Sequence, residues 1–250
     1  MVNFWKLVNK VLRDSDIVLL VIDARFPEMT RNKEIEQKAR KLLYVINKCD
    51  LVKDPESLKE HFEPCVFVSA KKKYGGTMLF NKIMELSRGK SCIVGVLGYP
   101  NVGKSSVINL LKGKKSASVS SQSGHTRGIQ FVSAKGKLKL IDTPGVLQYQ
   151  EKDLLKQIII GAYNPQHVQE PEYYAMLIVK KYPELFEKYY GLKVEKPLEF
   201  LEKVALKRHV LKKGGKPDII RFSRQLLYDW QRGRMHSTFL EKSPGPDKGN

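Results

Sequence analysis

Residues 98–105 read Gly-Tyr-Pro-Asn-Val-Gly-Lys-Ser, two glycines five positions apart followed at once by a lysine and a hydroxyl. The apolar run 92–97 precedes them, and a helix-forming stretch, 106–111, follows. A strand, a glycine-bearing loop and a helix in that order form a phosphate cradle, because loop and helix N–H groups converge on phosphate oxygens. Asn101, Val102, Gly103 and Ser106 would line the cradle, and Lys104 would bring a point charge to the β and γ phosphates. The Ser105 hydroxyl is suited to Mg²⁺. A chance glycine-rich turn would not come with both flanking elements.

Three further clusters fit the same ligand. Asn47-Lys48-Cys49-Asp50 ends an apolar run. A carboxylate there can accept both N1–H and the exocyclic amine of guanine, a donor pair that adenine lacks. Asp50 takes that role, with Asn47 bracing the loop and the Lys48 stem lying over the ring. Ser69-Ala70-Lys71 ends the next apolar run and offers the Ala70 N–H to the guanine oxygen. Asp142-Thr143-Pro144-Gly145 ends another: Asp142 is suited to Mg²⁺ through water, and the Gly145 N–H to the γ-phosphate. Thr126, in a preceding stretch rich in Lys, Ser and Gly, can complete the metal shell only when that phosphate is present, an order–disorder switch. His125 is a tempting general base, but a histidine so placed is more often a solvated loop residue, and no role is assigned to it.

The elements that carry these residues alternate. Residues 3–13 place Phe4, Leu7, Val8, Val11 and Leu12 on one helical face. Apolar strand runs at 16–22, 42–46 and 65–68 are separated by helices at 33–41 and near 55–62, and Pro27 is expected to stop a turn after the first. A helix near 76–88 leads to the phosphate-loop strand, and strands follow at 129–133 and 137–141. Alternation of this kind gives an α/β fold with a mostly parallel sheet, whose ligands sit beyond the carboxyl ends of the strands. All the clusters fall at such ends.

Composition limits the partners. Forty-five lysines and arginines against 26 acids leave +19 in 250 residues, which favours a polyanion such as nucleic acid. The three cysteines are isolated, as expected of a reducing cytoplasm, and no apolar run suggests a membrane or a signal peptide. Residues 150–250 read as a helical domain punctuated by Pro171, Pro183 and Pro197, the last opening a helix to about Leu211. In the final helix Ile219, Phe222, Leu226 and Trp230 share one face, with Arg221, Arg224, Tyr228 and Arg232 opposite. Together with Lys212, Lys213 and Lys216 these arginines form the candidate RNA surface, a tyrosine among them suiting base stacking.

The motif set resembles that of GTPases, but its order is rearranged. Ordinary members begin with the phosphate loop; here Asn-Lys-Cys-Asp and Ser-Ala-Lys come first. The chain is similar to the circularly permuted GTPases of ribosome assembly. Asp23-Ala24-Arg25, the loop 98–106 and Gly124-His125-Thr126-Arg127-Gly128-Ile129-Gln130 are most like the YlqF/RbgA branch. The missing cysteine cluster disfavours the zinc-finger branch, and the long extensions of nucleolar relatives are absent. The resemblance implies a permuted P-loop GTPase domain, residues 1–149, followed by a small all-α domain, residues 150–250, that docks on ribosomal RNA. It implies GTP and GDP as ligands, Mg²⁺ as cofactor and the large ribosomal subunit precursor as partner, bound in the GTP state by a monomer.

Lys104, Asn101 and Thr126 are then the residues expected to carry hydrolysis. The position after the Asp-x-x-Gly motif, a water-orienting glutamine in Ras-like enzymes, is Val146, which cannot hydrogen-bond, so slow intrinsic turnover follows. Asn101 matches a phosphate-loop asparagine that coordinates K⁺ in similar GTPases; bracing of the loop is the equal alternative. Two other functions remain open on sequence: a GTP-gated RNA-binding adaptor with incidental hydrolysis, and a GTPase acting on tRNA.

Overall fold

The computed structural model describes residues 4–112, 130–133, 138–142 and 153–236. The chain divides into two compact units, Met1–Glu151 and Lys152–Asn250.

The first unit is an α/β layer. Its elements are α1 (Phe4–Asp14), β1 (Ile17–Asp23), α2 (Pro27–Thr30), α3 (Lys33–Lys38), β2 (Leu42–Asn47), β3 (Cys65–Val68), α4 (Gly76–Leu86), β4 (Cys92–Gly98), α5 (Lys104–Lys112), β5 (Gln130–Ser133) and β6 (Leu138–Asp142). The strands form a six-stranded sheet in the order β3-β2-β1-β4-β6-β5, parallel except for β5, which runs antiparallel to β6. Every residue of β1 is buried. Strands covered on both faces read as unbroken apolar runs, and each such side chain contributes about 1.5–3 kcal/mol when withdrawn from water.

The chain moves outward from β1 to β2 and β3 on one side; on the other, after β4, it forms the edge strand β5 first and then returns as β6 between β5 and β4. β1 and β4 are therefore neighbours across the point where strand order reverses, where a crevice opens beyond the carboxyl ends. Register aligns those ends: Asp23 lies beside Asn47, and Val21 beside Gly98. α1 packs over β4 at Gly95, where a side chain would collide with Val11 and Ser15 of the helix and the turn after it. Val8 and Val11 are fully buried there, as the helical face predicts.

Several boundaries differ from the sequence reading. Pro27 opens α2 rather than stopping the chain, because its missing N–H costs nothing at a first helical position. The charged helix ends at Lys38, capped at its start by Asn32, whose side chain accepts from the Ile35 N–H at 2.9 Å. The expected helix near 55–62 is a short 3₁₀ turn, Glu56–Glu60.

The second unit is helical: α6 (Leu154–Ile159), α7 (Pro171–Lys181), α8 (Pro183–Tyr190), α9 (Pro197–Lys207) and α10 (Ile219–Gln231). Prolines at the first turns of α7, α8 and α9 start them, and Gly191 closes α8 at φ 67°. α9 stops at Lys207, short of Leu211, because the following residues turn back: Leu211 bridges Pro217, and the Asp218 N–H donates to the Val210 carbonyl at 2.8 Å. α10 forms the spine. Its Trp230 is fully buried, stacks on Phe186 at 5.8 Å between ring centres, and donates its indole N–H to the Ile159 carbonyl at 3.0 Å. Gln231 donates to the carbonyls of Ile158 and Tyr163, so α10 satisfies the open C-terminal end of α6.

Candidate nucleotide site and basic face

The phosphate loop leaves β4 at Gly98, whose φ of 150° and closeness to the Val21 carbonyl (2.6 Å from where a Cβ would sit) exclude a side chain. Asn101 takes the left-handed conformation, φ 60°, and Val102 is fully buried beneath the loop. Gly103, at φ 100°, faces the Asn47 amide so closely that a Cβ would displace it. Lys104 is 6% exposed and donates to the carbonyls of Gly98 at 2.9 Å and Tyr99 at 2.7 Å. Its ammonium thus lies across the loop that it would complete. Ser105 and Ser106, in the first turn of α5, are exposed.

The residues expected to read the base are tied to this loop from the other side. Asn47, 3% exposed at the end of β2, donates its amide to the Val102 carbonyl at 2.8 Å. Its amide oxygen accepts the Ala70 N–H at 3.1 Å. One side chain therefore links the phosphate loop to the Ser69-Ala70-Lys71 turn. Lys48 follows in the left-handed conformation, φ 62°, and donates to the Asn101 carbonyl at 2.8 Å. Asp50 is half-buried in the 3₁₀ turn beyond, with the Lys72 ammonium 3.6 Å from its carboxylate. Ser69 is buried and exchanges backbone hydrogen bonds with Tyr74, while Lys71 is exposed.

A residue without an assigned role in the sequence stands at the centre of this network. Asp23, fully buried at the end of β1, takes both oxygens into a fork with Arg25, at 3.0 and 2.7 Å. It also accepts the Lys48 ammonium at 2.7 Å. Burial pushes the Asp23 carboxyl up; the two cations overcome it and hold the group well below the usual carboxylate range. Asp-Ala-Arg at the end of the first strand was the available signal, though the sequence offered it only as a family mark.

Asp142 ends β6, beside β4 on the sheet edge that carries the loop. Thr126, Gly145, His125 and Val146 lie outside the described residues, as do residues 113–122 of the Lys-, Ser- and Gly-rich stretch before Thr126. For Mg²⁺, the exposed Ser105 hydroxyl and a carboxylate on the next strand are hard oxygen donors of the right kind. Among the described residues no cluster of three His, Cys, Asp or Glu forms a metal site of its own.

On the second unit, Arg221, Tyr228 and Arg232 stand exposed on α10 opposite the buried Phe222, Leu226 and Trp230. The Arg232 guanidinium lies over the Tyr228 ring at 4.5 Å. Arg224 is only half-exposed, its Nε buried without a hydrogen-bond partner. Lys212, Lys213 and Lys216 sit exposed on a tight turn in which Gly214 and Gly215 both have positive φ and nothing within 4 Å of a Cβ position.

A phosphate loop on β4, with Asn-Lys-x-Asp and Ser-Ala-Lys on the neighbouring strand ends, defines the P-loop GTPase class. The family model described as 50S ribosome-binding GTPase matches residues 93–197. An uncharacterized GTP-binding protein of Methanocaldococcus jannaschii is 42% identical over 92% of this chain and 65% of its own length. Nucleolar GTP-binding protein 2 of Saccharomyces cerevisiae is 34% identical over 93% of this chain and 52% of its own. This chain thus spans about half to two-thirds of these relatives. Among solved structures, GNP-bound YlqF from T. maritima superposes with a TM-score of 0.68 at 24% identity, covering 92% of this chain and 94% of that one. A GDP-bound YlqF structure gives 0.67 at 26% identity, covering 91% and 94%. The chain belongs to the circularly permuted GTPase family of YlqF and nucleolar GTP-binding protein 2. No described helix is long and apolar enough to cross a membrane.

Proposed function

We propose that this protein binds GTP at the crevice beyond β1, β2 and β4, hydrolyses it slowly, and uses its GTP state to engage a large ribosomal subunit precursor through ribosomal RNA during late assembly. The observation that carries the nucleotide half is the Asn47 side chain, which spans from the phosphate loop to the Ala70 turn at 2.8 and 3.1 Å. That span supports a reading in which the Asn-Lys-x-Asp turn and the phosphate loop serve one ligand despite their inverted order in the chain. Lys104 would neutralise the β and γ phosphates. Ser105, Thr126 and Asp142 would hold Mg²⁺, which would supply positive charge against the negative charge developing in phosphoryl transfer. Gly145 would sense the γ-phosphate, and Asn101 would hold K⁺ beside it.

The RNA half rests on the exposed cations Lys212, Lys213, Lys216, Arg221 and Arg232, with Arg224 partly withdrawn among them. Ribosomal partners agree with the description of the matching family model and with the curated relatives' nucleolar names. Action as a monomer in the cytoplasm completes the proposal. Val146 favours one second reading, a GTP-gated RNA-binding adaptor whose hydrolysis is incidental.

Calorimetry with GDP and ADP tests the first half: a preference for GDP of at least a hundredfold is expected, and equal binding would overturn it. Co-sedimentation with large-subunit particles tests the second. Binding with a GTP analogue but not with GDP is expected; binding indifferent to nucleotide would sink the switch.

A further inference from the structure

We infer that Asp23 is a positioning residue for guanine-nucleotide binding, gripping Lys48 so that the base-reading loop is latched to the phosphate loop before a ligand arrives. The inference rests on the nucleotide reading above and adds a device to it. Lys48 has one ammonium and two partners, Asp23 at 2.7 Å and the Asn101 carbonyl at 2.8 Å. Asp23 is 25 residues away in sequence and Asn101 is 53, so this one cation joins β1, the end of β2 and the phosphate loop.

The arrangement has the parts of a latch. The Asp23 side chain is completely buried, that of Arg25 is 1% exposed, and that of Lys48 is 22% exposed. The grip is thus anchored in the interior while the working end reaches the crevice. Arg25 occupies both carboxylate oxygens in a fork, and its own N–H donates to Asp23 Oδ1 at 3.1 Å, which fixes the carboxylate plane. The Asp23 N–H in turn donates to Thr30 Oγ1 at 3.1 Å, fastening the end of β1 to α2. Asp23, Arg25 and Thr30 would not touch the ligand themselves. Their effect passes through Lys48, whose stem is held where it would cover the base, and through Asn101, whose carbonyl is held turned inward by the same ammonium. A loop already fixed in its binding geometry loses less entropy on binding.

The latch predicts a particular pattern of loss. The Lys48 stem cannot sense the exocyclic amine of guanine, so releasing it should weaken GDP and inosine diphosphate by the same factor. Asp50 reads that amine, so its substitution should change the ratio of the two. In the full-length protein, a fluorescent GDP analogue should dissociate about tenfold faster from Asp23→Asn than from the unsubstituted protein, with the GDP to inosine diphosphate ratio kept. Lys48→Met should lose a similar factor, and the double substitution should lose no more than either alone. Where Asp23→Asn fails to fold because Arg25 is left without its anion, the paired substitution D23N/R25M removes both charges of the fork and should give the same loss. Lys48→Met at the exposed end provides the same reading without disturbing the interior.

Unchanged dissociation from Lys48→Met, or multiplied losses in the double variant, would overturn the inference. So would a shifted GDP to inosine diphosphate ratio in Asp23→Asn, since that would mark general damage to the pocket. Absence of guanine preference in the unsubstituted protein would instead remove the nucleotide reading itself.

Discussion

The nucleotide crevice and the α10 surface both gather cations for an anionic partner, but they hold them in opposite ways. At the crevice, Lys48 and Lys104 each reach two acceptors of this same chain, and Arg25 is forked onto a buried carboxylate. On the second unit Lys212, Lys213, Lys216, Arg221 and Arg232 extend into solvent around a buried aromatic core. The first arrangement is suited to selecting one ligand by fixed geometry. The second would collect phosphate charge without a unique pose, as a large and irregular polyanion would require. On the proposed function, specificity would come from the immobilised cations and general attraction from the solvent-facing ones.

Four substitutions test that contrast, in descending order of effect. Trp230→Ala should cost the second unit about 3–5 kcal/mol, because it removes the stacking on Phe186 and the bond to Ile159 together. Chemical denaturation followed by calorimetric GDP titration should reveal an early loss of helix with nucleotide affinity retained; loss of both would erase the distinction between the two regions. Lys104→Ala should weaken GTP binding about a hundredfold, read by titration, since its ammonium is the charge-bearing donor of the loop. Asp50→Asn should lower the preference for GDP over inosine diphosphate about tenfold, visible by competition with a fluorescent analogue. Arg232→Ala should weaken RNA binding almost evenly across sequences and reduce the salt slope of its affinity by about one, measured by filter binding at several salt concentrations. A sequence-selective loss would mean that this face, too, is a fixed reader.

A pH series sharpens the contrast further. The Asp23 carboxyl titrates lower in the folded protein than in the unfolded chain. Its contribution to stability is therefore present above about pH 4 and declines as acid approaches the folded value. The thermal midpoint should fall more between pH 6 and pH 3 for the unsubstituted protein than for D23N/R25M, as followed by circular dichroism.

Much of the first unit could be read before any coordinates, for a physical reason. Parallel strands buried on both faces leave unbroken apolar runs, and their polar residues collect at the carboxyl ends where the crevice opens. Asn47, Asp50 and the 98–105 loop announce themselves in that way. The faces of α10 followed as directly from helical spacing. The Asp23 latch did not, because its partners are distant in sequence and no local period records a contact of that kind. The helix expected to run to Leu211 was misjudged for a related cause: residues 210–218 close on themselves through backbone bonds, which residue type does not advertise. Pro27 was read as a terminator although the same ring serves equally well as an initiator.

The interlock between Asn47 and the 98–104 loop also has a consequence for biosynthesis. A ribosome making this polypeptide releases the base-reading half first, yet the carbonyls that its Asn47 and Lys48 require, those of Val102 and Asn101, are still untranslated. Those donors must stay hydrated until the second half emerges, so the early half matures only when the later one reaches it. Inverting the gene order of the motifs has made the nascent pocket wait for its own floor.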